Sequence, residues 1–483
     1  MRIYNFIKNN SVLFIVPTLA FILLLFATRF FIGITPDSMM YISASKSLID
    51  TGELRSIYDG LPLQYMTHYP PGLPIFISAF SYITNNLYDA ARLINALSLF
   101  AFIYSVGFVS KKYLSTTYIV ILQLLLTLNL SLFTIYEMLW TEPLYIYLSF
   151  IAIYTLYKFA NNRNIRWLIA SAIIMSVSML VRYSAASLII ASAIYLFIVL
   201  RKESLFIRVK YTFIHGAIAS SSFVYWTIRN IILVDNPTDR SFAFHPMPLS
   251  YYQDLLTTTT TNFIGLSIID LGYIASYIIG VIILLSIAYY SYNILKSKTT
   301  DIKFILILFP LVFFVFLAIS NTFFDFTPLY FRILVPVYIL ITISIFYSIF
   351  GNSNFNKKYK IAIIVIAFIL FGGKFVPHII NISEGKELSS SKLMNSDLKA
   401  EVSAVDDNIK IYSNEIDRLY LINDGRKGDW LRNIDNNTDN EFLIMYFYIG
   451  RNYSSEIFDR HNYTRELISK SQDVIIYKYK LME

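Results

Sequence analysis

The sequence predicts an all-α polytopic membrane protein of about eleven transmembrane helices, followed by a small extracytoplasmic α/β domain. Three observations predict it. Apolar residues make up 56% of the chain and charged residues 15%, where a soluble domain carries roughly 25% charge. Apolar runs near the spanning length of about 20 residues recur from residue 11 to 377. Basic residues collect in every second gap between those runs, as cytoplasmic turns require. The same composition excludes a disordered chain, a collagen and a disulfide-stapled secreted domain. The absence of cysteine excludes thiolate metal sites, a cysteine nucleophile and redox disulfides. The formal net charge of +8 reflects those cytoplasmic turns, so no nucleic-acid partner is expected.

The predicted spans are 11–32, 89–110, 115–135, 142–160, 165–181, 183–200, 211–228, 266–293, 302–320, 330–350 and 361–377. The stretch 165–200 is too long for one span and holds Arg182 and Tyr183 near its centre, so it reads as two short spans with a turn. Residues 72–84 are too short to cross; Pro70 and Pro71 start an interfacial or re-entrant helix there. With that helix left out and the N-terminus cytoplasmic, the inside turns carry Arg2 and Lys8, Lys111 and Lys112, then Arg163 and Arg166. They continue with Arg201, Lys202, Arg208 and Lys210, then Lys296, Lys298 and Lys303, then Lys357, Lys358 and Lys360. The first apolar run is long and lacks a compact cleavage site, so it is read as a retained span.

Outside lie the loops 33–88 and 229–265 and the C-terminal part. The chain divides into a transmembrane module, 1–377, and a C-terminal domain, 378–483. In that domain the strand-like runs Ile409–Tyr412, Phe442–Tyr448 and Asp473–Tyr479 alternate with polar helical stretches such as Ser454–Lys470. Asn381, Asn436, Asn452 and Asn462 head sequons that suit an outside face, a pattern that an Asn-rich chain also produces by chance.

Charge inside a bilayer is costly, so its placement is informative. Here the unusual charges gather at the outside ends of spans. Asp37 follows Pro36 at the start of an amphipathic helix that Gly52 stops. Helix capping is its plainer role; a working carboxylate is the other. His68 and Tyr69 open the rigid run HYPPG, where a metal ligand, a phosphate partner or a structural ring are the alternatives. Glu137 and Glu142 flank the mouth of spans three and four, with Trp140 read as an interface anchor. Arg182, Arg229 and Arg332 stand at the mouths of separate spans. Outside arginines run against the usual bias, and three together point to an anion held at that surface, with lipid-phosphate snorkelling as the alternative. Carboxylates can take a proton from a hydroxyl, and arginines can hold a departing phosphate. No Walker, Rossmann, HExxH or GxSxG pattern occurs.

These residues together resemble the GT-C membrane glycosyltransferases, close to the protein mannosyltransferase and aminoarabinose transferase types. The resemblance covers roughly residues 10–375. It lies in Asp37, Tyr41, Ala44 and Gly52 of PDSMMYISASKSLIDTG, then HYPPGLP from His68 to Pro74, then Arg92. It continues with Glu142 in TEPLY, Arg182 in LVRYS, the set Trp226, Arg229 and Asn230, and Arg332 with Pro336 in YFRILVP. One departure stands out: Ser38 occupies the place where the mannosyltransferase type often has a second adjacent acid. That weakens the case for protein O-mannosylation and leaves the transferase reading intact.

The resemblance implies inverting transfer of a sugar from a polyprenyl-phosphate-linked donor to an acceptor hydroxyl on a protein, lipid or glycan. It implies Asp37 as the base or orienting group and Arg182, Arg229 and Arg332 at the donor phosphate. A divalent ion (Mg or Mn) is the one cofactor it leaves open, with Asp37, Glu142 and His68 as its candidate ligands. Membrane lipids are the remaining expected partners. Two rivals stand beside this reading: a polyprenyl-linked glycan ligase or polymerase, and a lipid or glycan transporter or flippase. The clean span centres favour surface chemistry over alternating access.

Overall fold

The computed structural model describes residues 2–57, 63–238, 242–297, 301–324, 329–383, 409–422, 428–431, 434, 440–447, 463–470 and 474–482. It contains two compact units that do not follow chain order. The first is Met1–Ala27, Thr67–Leu73 and Arg92–Ile380; the second is Thr28–Met66, Pro74–Ala91 and Asn381–Glu483.

The first unit is helical. Its elements are α1 (Arg2–Ala27), most of α4 (Leu87–Ser110), α5 (Thr116–Leu128), α6 (Leu130–Glu137) and α7 (Glu142–Asn162). Then follow α8 (Ile165–Val181), α9 (Ala185–Val199), α10 (Leu205–Val234), α11 (Leu249–Ile264), α12 (Ile268–Leu271) and α13 (Tyr273–Lys296). α14 (Ile302–Phe323), α15 (Phe331–Phe350) and nearly all of α16 (Lys357–Ser383) complete it. Among the described residues seven helices are long and apolar enough to cross a membrane, or eight if the bent pair α5–α6 is one span. A helix stands at each of the eleven predicted positions, but α8 and α9 have only 17 and 15 residues. The apolar part of α1 is Ser11–Ala27, also below spanning length.

Two features here were not predicted. The span 115–135 is broken at Asn129, where α5 and α6 meet at 60°. Asn129 Oδ1 accepts from the Leu132 amide at 2.9 Å and starts a new helix, while its Nδ2 donates to the Asn262 carbonyl at 3.2 Å. Asn is a preferred N-cap, so the break follows from its side chain. The second is α11, a threonine-rich helix inside the expected loop 229–265. Its hydroxyls are absorbed locally: Thr259 Oγ1 bonds the Leu255 carbonyl and meets Tyr338 Oη at 2.6 Å, and Thr260 Oγ1 donates to the Ser276 carbonyl.

In the second unit, α2 (Pro36–Thr51) precedes the small antiparallel hairpin β1 (Arg55–Ser56) and β2 (Gln64–Tyr65). Gly52, at φ +75°, ends α2 as expected. The short helix α3 occupies Gly72–Thr84, the predicted bounds. Its part beyond Pro74 is stitched to α2: Ser45 Oγ donates to the Pro74 carbonyl and Ser78 Oγ to the Ser45 carbonyl. The C-terminal elements are β3 (Lys410–Ser413), α17 (Ile416–Ile422), β4 (Asp429–Trp430), β5 (Glu441–Phe447), β6 (Tyr463–Lys470) and β7 (Val474–Leu481). α17 packs against α2. The five strands form one sheet in the order β4-β3-β5-β7-β6. β3 is parallel to both its neighbours, and β7 is antiparallel to β5 and β6. Tyr412, Phe442, Ile444, Ile475 and Tyr479 form its core, with the Phe442 and Tyr479 rings stacked at 4.9 Å. The helical expectation for Ser454–Lys470 is corrected at its C-terminal end: 463–470 is a strand, because pairing with β7 outweighs local propensity. Residues 454–462, and the sequons at Asn436, Asn452 and Asn462, lie outside the described residues.

Candidate active site

The centre of the site is one carboxylate. Glu142 opens α7 and is wholly buried. Its Oε1 accepts from Arg332 Nε at 2.6 Å and from Arg182 Nη1. Its Oε2 accepts from Thr141 Oγ1 at 3.3 Å. A buried carboxylate must be paired or it costs several kcal/mol, and here two cations converge on one oxygen. Two guanidiniums against one carboxylate leave a net positive charge, because arginine does not deprotonate.

Each arginine is placed by a break between helices. Arg182 closes α8, with its amide bonded to the Ser178 carbonyl at 2.8 Å. Its Nη1 also donates to Thr141 Oγ1 at 3.2 Å and its Nε to Ser184 Oγ at 3.3 Å. Arg332 is the second residue of α15 and lies over the Trp140 ring at 4.4 Å. Trp140, only 6% exposed, is therefore a stacking partner inside the protein and not the interface anchor that the sequence suggested. The two guanidiniums keep 16% and 12% of their side-chain surface exposed, so the positive face is reachable while the carboxylate is not.

A second cluster adjoins the first through Tyr183, the neighbour of Arg182. Tyr183 Oη accepts from Trp226 Nε1 at 3.0 Å and donates to the Thr67 carbonyl at 3.2 Å. That bond ties the loop of His68 and Tyr69, whose rings meet edge to face at 4.7 Å, to the α8–α9 break. Gly72 completes the attachment: a Cβ there would stand 2.6 Å from the Leu180 carbonyl, so only glycine allows this approach. Arg229 lies over Trp226 at 4.5 Å and donates to Asn230 Oδ1 at 2.9 Å. Asn230 Nδ2 in turn holds the Pro237 carbonyl at 2.9 Å.

The structure thus joins Glu142, Arg182 and Arg332 directly, and reaches Arg229, Asn230, His68 and Tyr69 through Trp226, Tyr183 and Thr67. Sequence reasoning missed Thr141 and Tyr183. Tyr183 had a signal: it follows an arginine at a predicted turn inside an apolar stretch. Asp37 and Tyr41 belong to the second unit, on α2, where Tyr41 is 1% exposed and Asp37 half-buried. The cap of α2 is formed by Thr35 and Ser38, with Ser38 Oγ accepting from the Thr35 amide at 3.0 Å. Asp37 is therefore not the cap. Ser38, with Thr35, does that work.

Among the described residues no three His, Asp or Glu side chains gather as a metal site. Glu142 suits a divalent ion poorly, because two guanidiniums already occupy the approach to its Oε1.

Comparison with known proteins adds to this geometry. Residues 68–226 match the sequence family described as dolichyl-phosphate-mannose-protein mannosyltransferase, a segment that includes His68, Glu142 and Arg182. No curated relative matches the chain. Two crystal structures of ArnT from Cupriavidus metallidurans share its fold, one bound to undecaprenyl phosphate and one in the apo state. Each superposes with a TM-score of 0.57 at 11% identity, covering 97% and 98% of this chain and 98% of the other. The chain shares the fold of these two ArnT structures.

Proposed function

We propose that this protein transfers a sugar from a polyprenyl-phosphate-linked donor to an acceptor hydroxyl at the extracytoplasmic membrane surface. The observation that carries the proposal is the arginine pair on Glu142, a partly exposed cationic face built at the mouths of three helices. The fold it shares with an ArnT structure holding undecaprenyl phosphate supports the same reading.

In this reading Arg182 and Arg332 hold the donor phosphate, with Arg229 beside them. Asp37 orients or deprotonates the acceptor hydroxyl; its assignment rests on the sequence pattern. The acceptor oxygen bonds to the anomeric carbon, the bond from that carbon to the phosphate oxygen breaks, and the electron pair leaves with the lipid phosphate. The configuration inverts. The arginines stabilise the charge that grows on the phosphate. No step is assigned to a metal. A glycan ligase or polymerase would share the donor, and the α5–α6 break is the feature a transporter would share.

Eleven spans, a cytoplasmic N-terminus and an extracytoplasmic C-terminal domain complete the proposal, supported by the basic turns. Single cysteines placed in this cysteine-free chain at Lys202 and Glu466 should label from opposite sides. Purified protein incubated with radiolabelled polyprenyl-phosphate sugars and membrane extract, with and without EDTA, tests the activity. Label should move to an extract component with the native protein and fall at least about 100-fold with Asp37→Asn. Near-native transfer by a folded Asp37→Asn protein would remove Asp37 from the mechanism. Failure of the folded protein to bind any donor would favour transport.

A further inference from the structure

We infer that His378 is a positioning residue for the arginine site, acting through the short segment that joins α6 to α7. Its consequence for ligand binding rests on the phosphate reading above; the contacts do not.

α16 is long and apolar but hardly packed. Only 6% of its apolar stretch is buried, and Ile361, Ile366, Ile369 and Val376 are all exposed. Apolar burial therefore does little to fix it against the first unit. Polar contacts hold its two ends: at the inner end Lys360 Nζ donates to the Phe350 and Asn352 carbonyls at 3.3 and 2.7 Å, and at the outer end a second set converges. Lys374 pairs with Asp270, the Phe375 ring meets Phe133 at 4.9 Å, and His378 Nε2 reaches both oxygens of Glu137, at 3.1 and 2.9 Å. Lys374 and His378 are four residues apart and share a helix face.

Glu137 is the last residue of α6 and 6% exposed, so its carboxylate needs partners, and His378 meets both of its oxygens. From there the chain runs through Met138–Thr141 to Glu142. Asn95 Nδ2 pins the carbonyls of Tyr136 and Met138, each at 2.8 Å, and the Trp140 amide bonds the Met138 carbonyl at 2.8 Å. The segment is strung between two anchored carboxylates: Glu137, held by His378, and Glu142, held by Arg182 and Arg332. Trp140, in its middle, carries Arg332 on its ring. Removing His378 takes away one of the holds at the α6 end of this segment, where Asn95 remains, and loosens the stack of Arg332 on Trp140.

The test compares His378→Ala, His378→Gln and Phe375→Ala by amide hydrogen exchange and by binding of undecaprenyl phosphate in nanodiscs. His378→Ala should raise exchange across Met138–Glu142 about tenfold and weaken binding severalfold, as loss of a hydrogen bond to a charged group does. His378→Gln keeps a donor and should restore both. Phe375→Ala removes packing from the same helix end and should move neither. Unchanged exchange in His378→Ala, or an equal rise in Phe375→Ala, overturns the inference. If Arg182→Gln and Arg332→Gln bind the lipid phosphate like the native protein, the phosphate reading fails, and the exchange data still decide the role of His378.

Discussion

Glu142 shows how one residue can be readable in a sequence while its partners are not. An acid at the mouth of a span is odd enough to mark, and so is an arginine. What cannot be read is that Arg332, 190 residues later, shares its Oε1 with Arg182. Trp140 was misread for the same reason: an indole near a span end suits the bilayer interface as well as a guanidinium. At Asp37 the capping role is excluded by Thr35 and Ser38, which cap α2. The pairing makes a stability prediction. Glu142→Gln leaves two guanidiniums facing each other with no counter-charge, and breaking a buried pair from one side costs about 3 kcal/mol or more. The melting temperature in detergent should fall clearly; an unchanged value would mean that water or lipid, and not Glu142, neutralises the arginines.

At the level of elements, α3 was legible to its bounds because two prolines and a glycine punctuate it. The α5–α6 break was not, since one asparagine in an apolar run carries no sign that its side chain will cap a new helix. β6 was read as helix because its charges suit either period, and only pairing with β7 decides. Two predictions belong here. Gly72→Ala places a methyl against the Leu180 carbonyl and should destabilise the protein by about 1–3 kcal/mol, seen as lower thermal stability. The second concerns α12, outside the span α13. Hydrogen bonds from Lys374 and from Ser267 hold the Asp270 carboxyl at about 2, below its ordinary 3.8. A folded-state value held low adds stability above the ordinary value and loses it as pH falls toward 2. The small stability gap between the native protein and Asp270→Asn should therefore be full at pH 6 and close between pH 4 and pH 2. A gap that does not change over this range would show that Lys374 gains nothing from the charge.

For the molecule as a whole, composition and the alternation of basic turns gave the membrane class and the sidedness proposed above. The two compact units were not legible, because α2 and α3 join C-terminal elements far away in the chain, and sequence order says nothing of that. The C-terminal sheet carries one more consequence, for the order of assembly. β7 follows β6 in the chain, yet it sits inside the sheet between β5 and β6. β3 lies parallel to β4 and β5, so those pairings close long loops and are slow to form, whereas β6–β7 is a local antiparallel pair. The sheet cannot mature until residues 474–481 have been made and, on the topology proposed, delivered across the membrane. Deleting that strand should leave 409–470 open to limited proteolysis while the first unit keeps its helices. A chain without residues 474–481 would thus present an unfinished sheet to the proteases of its compartment.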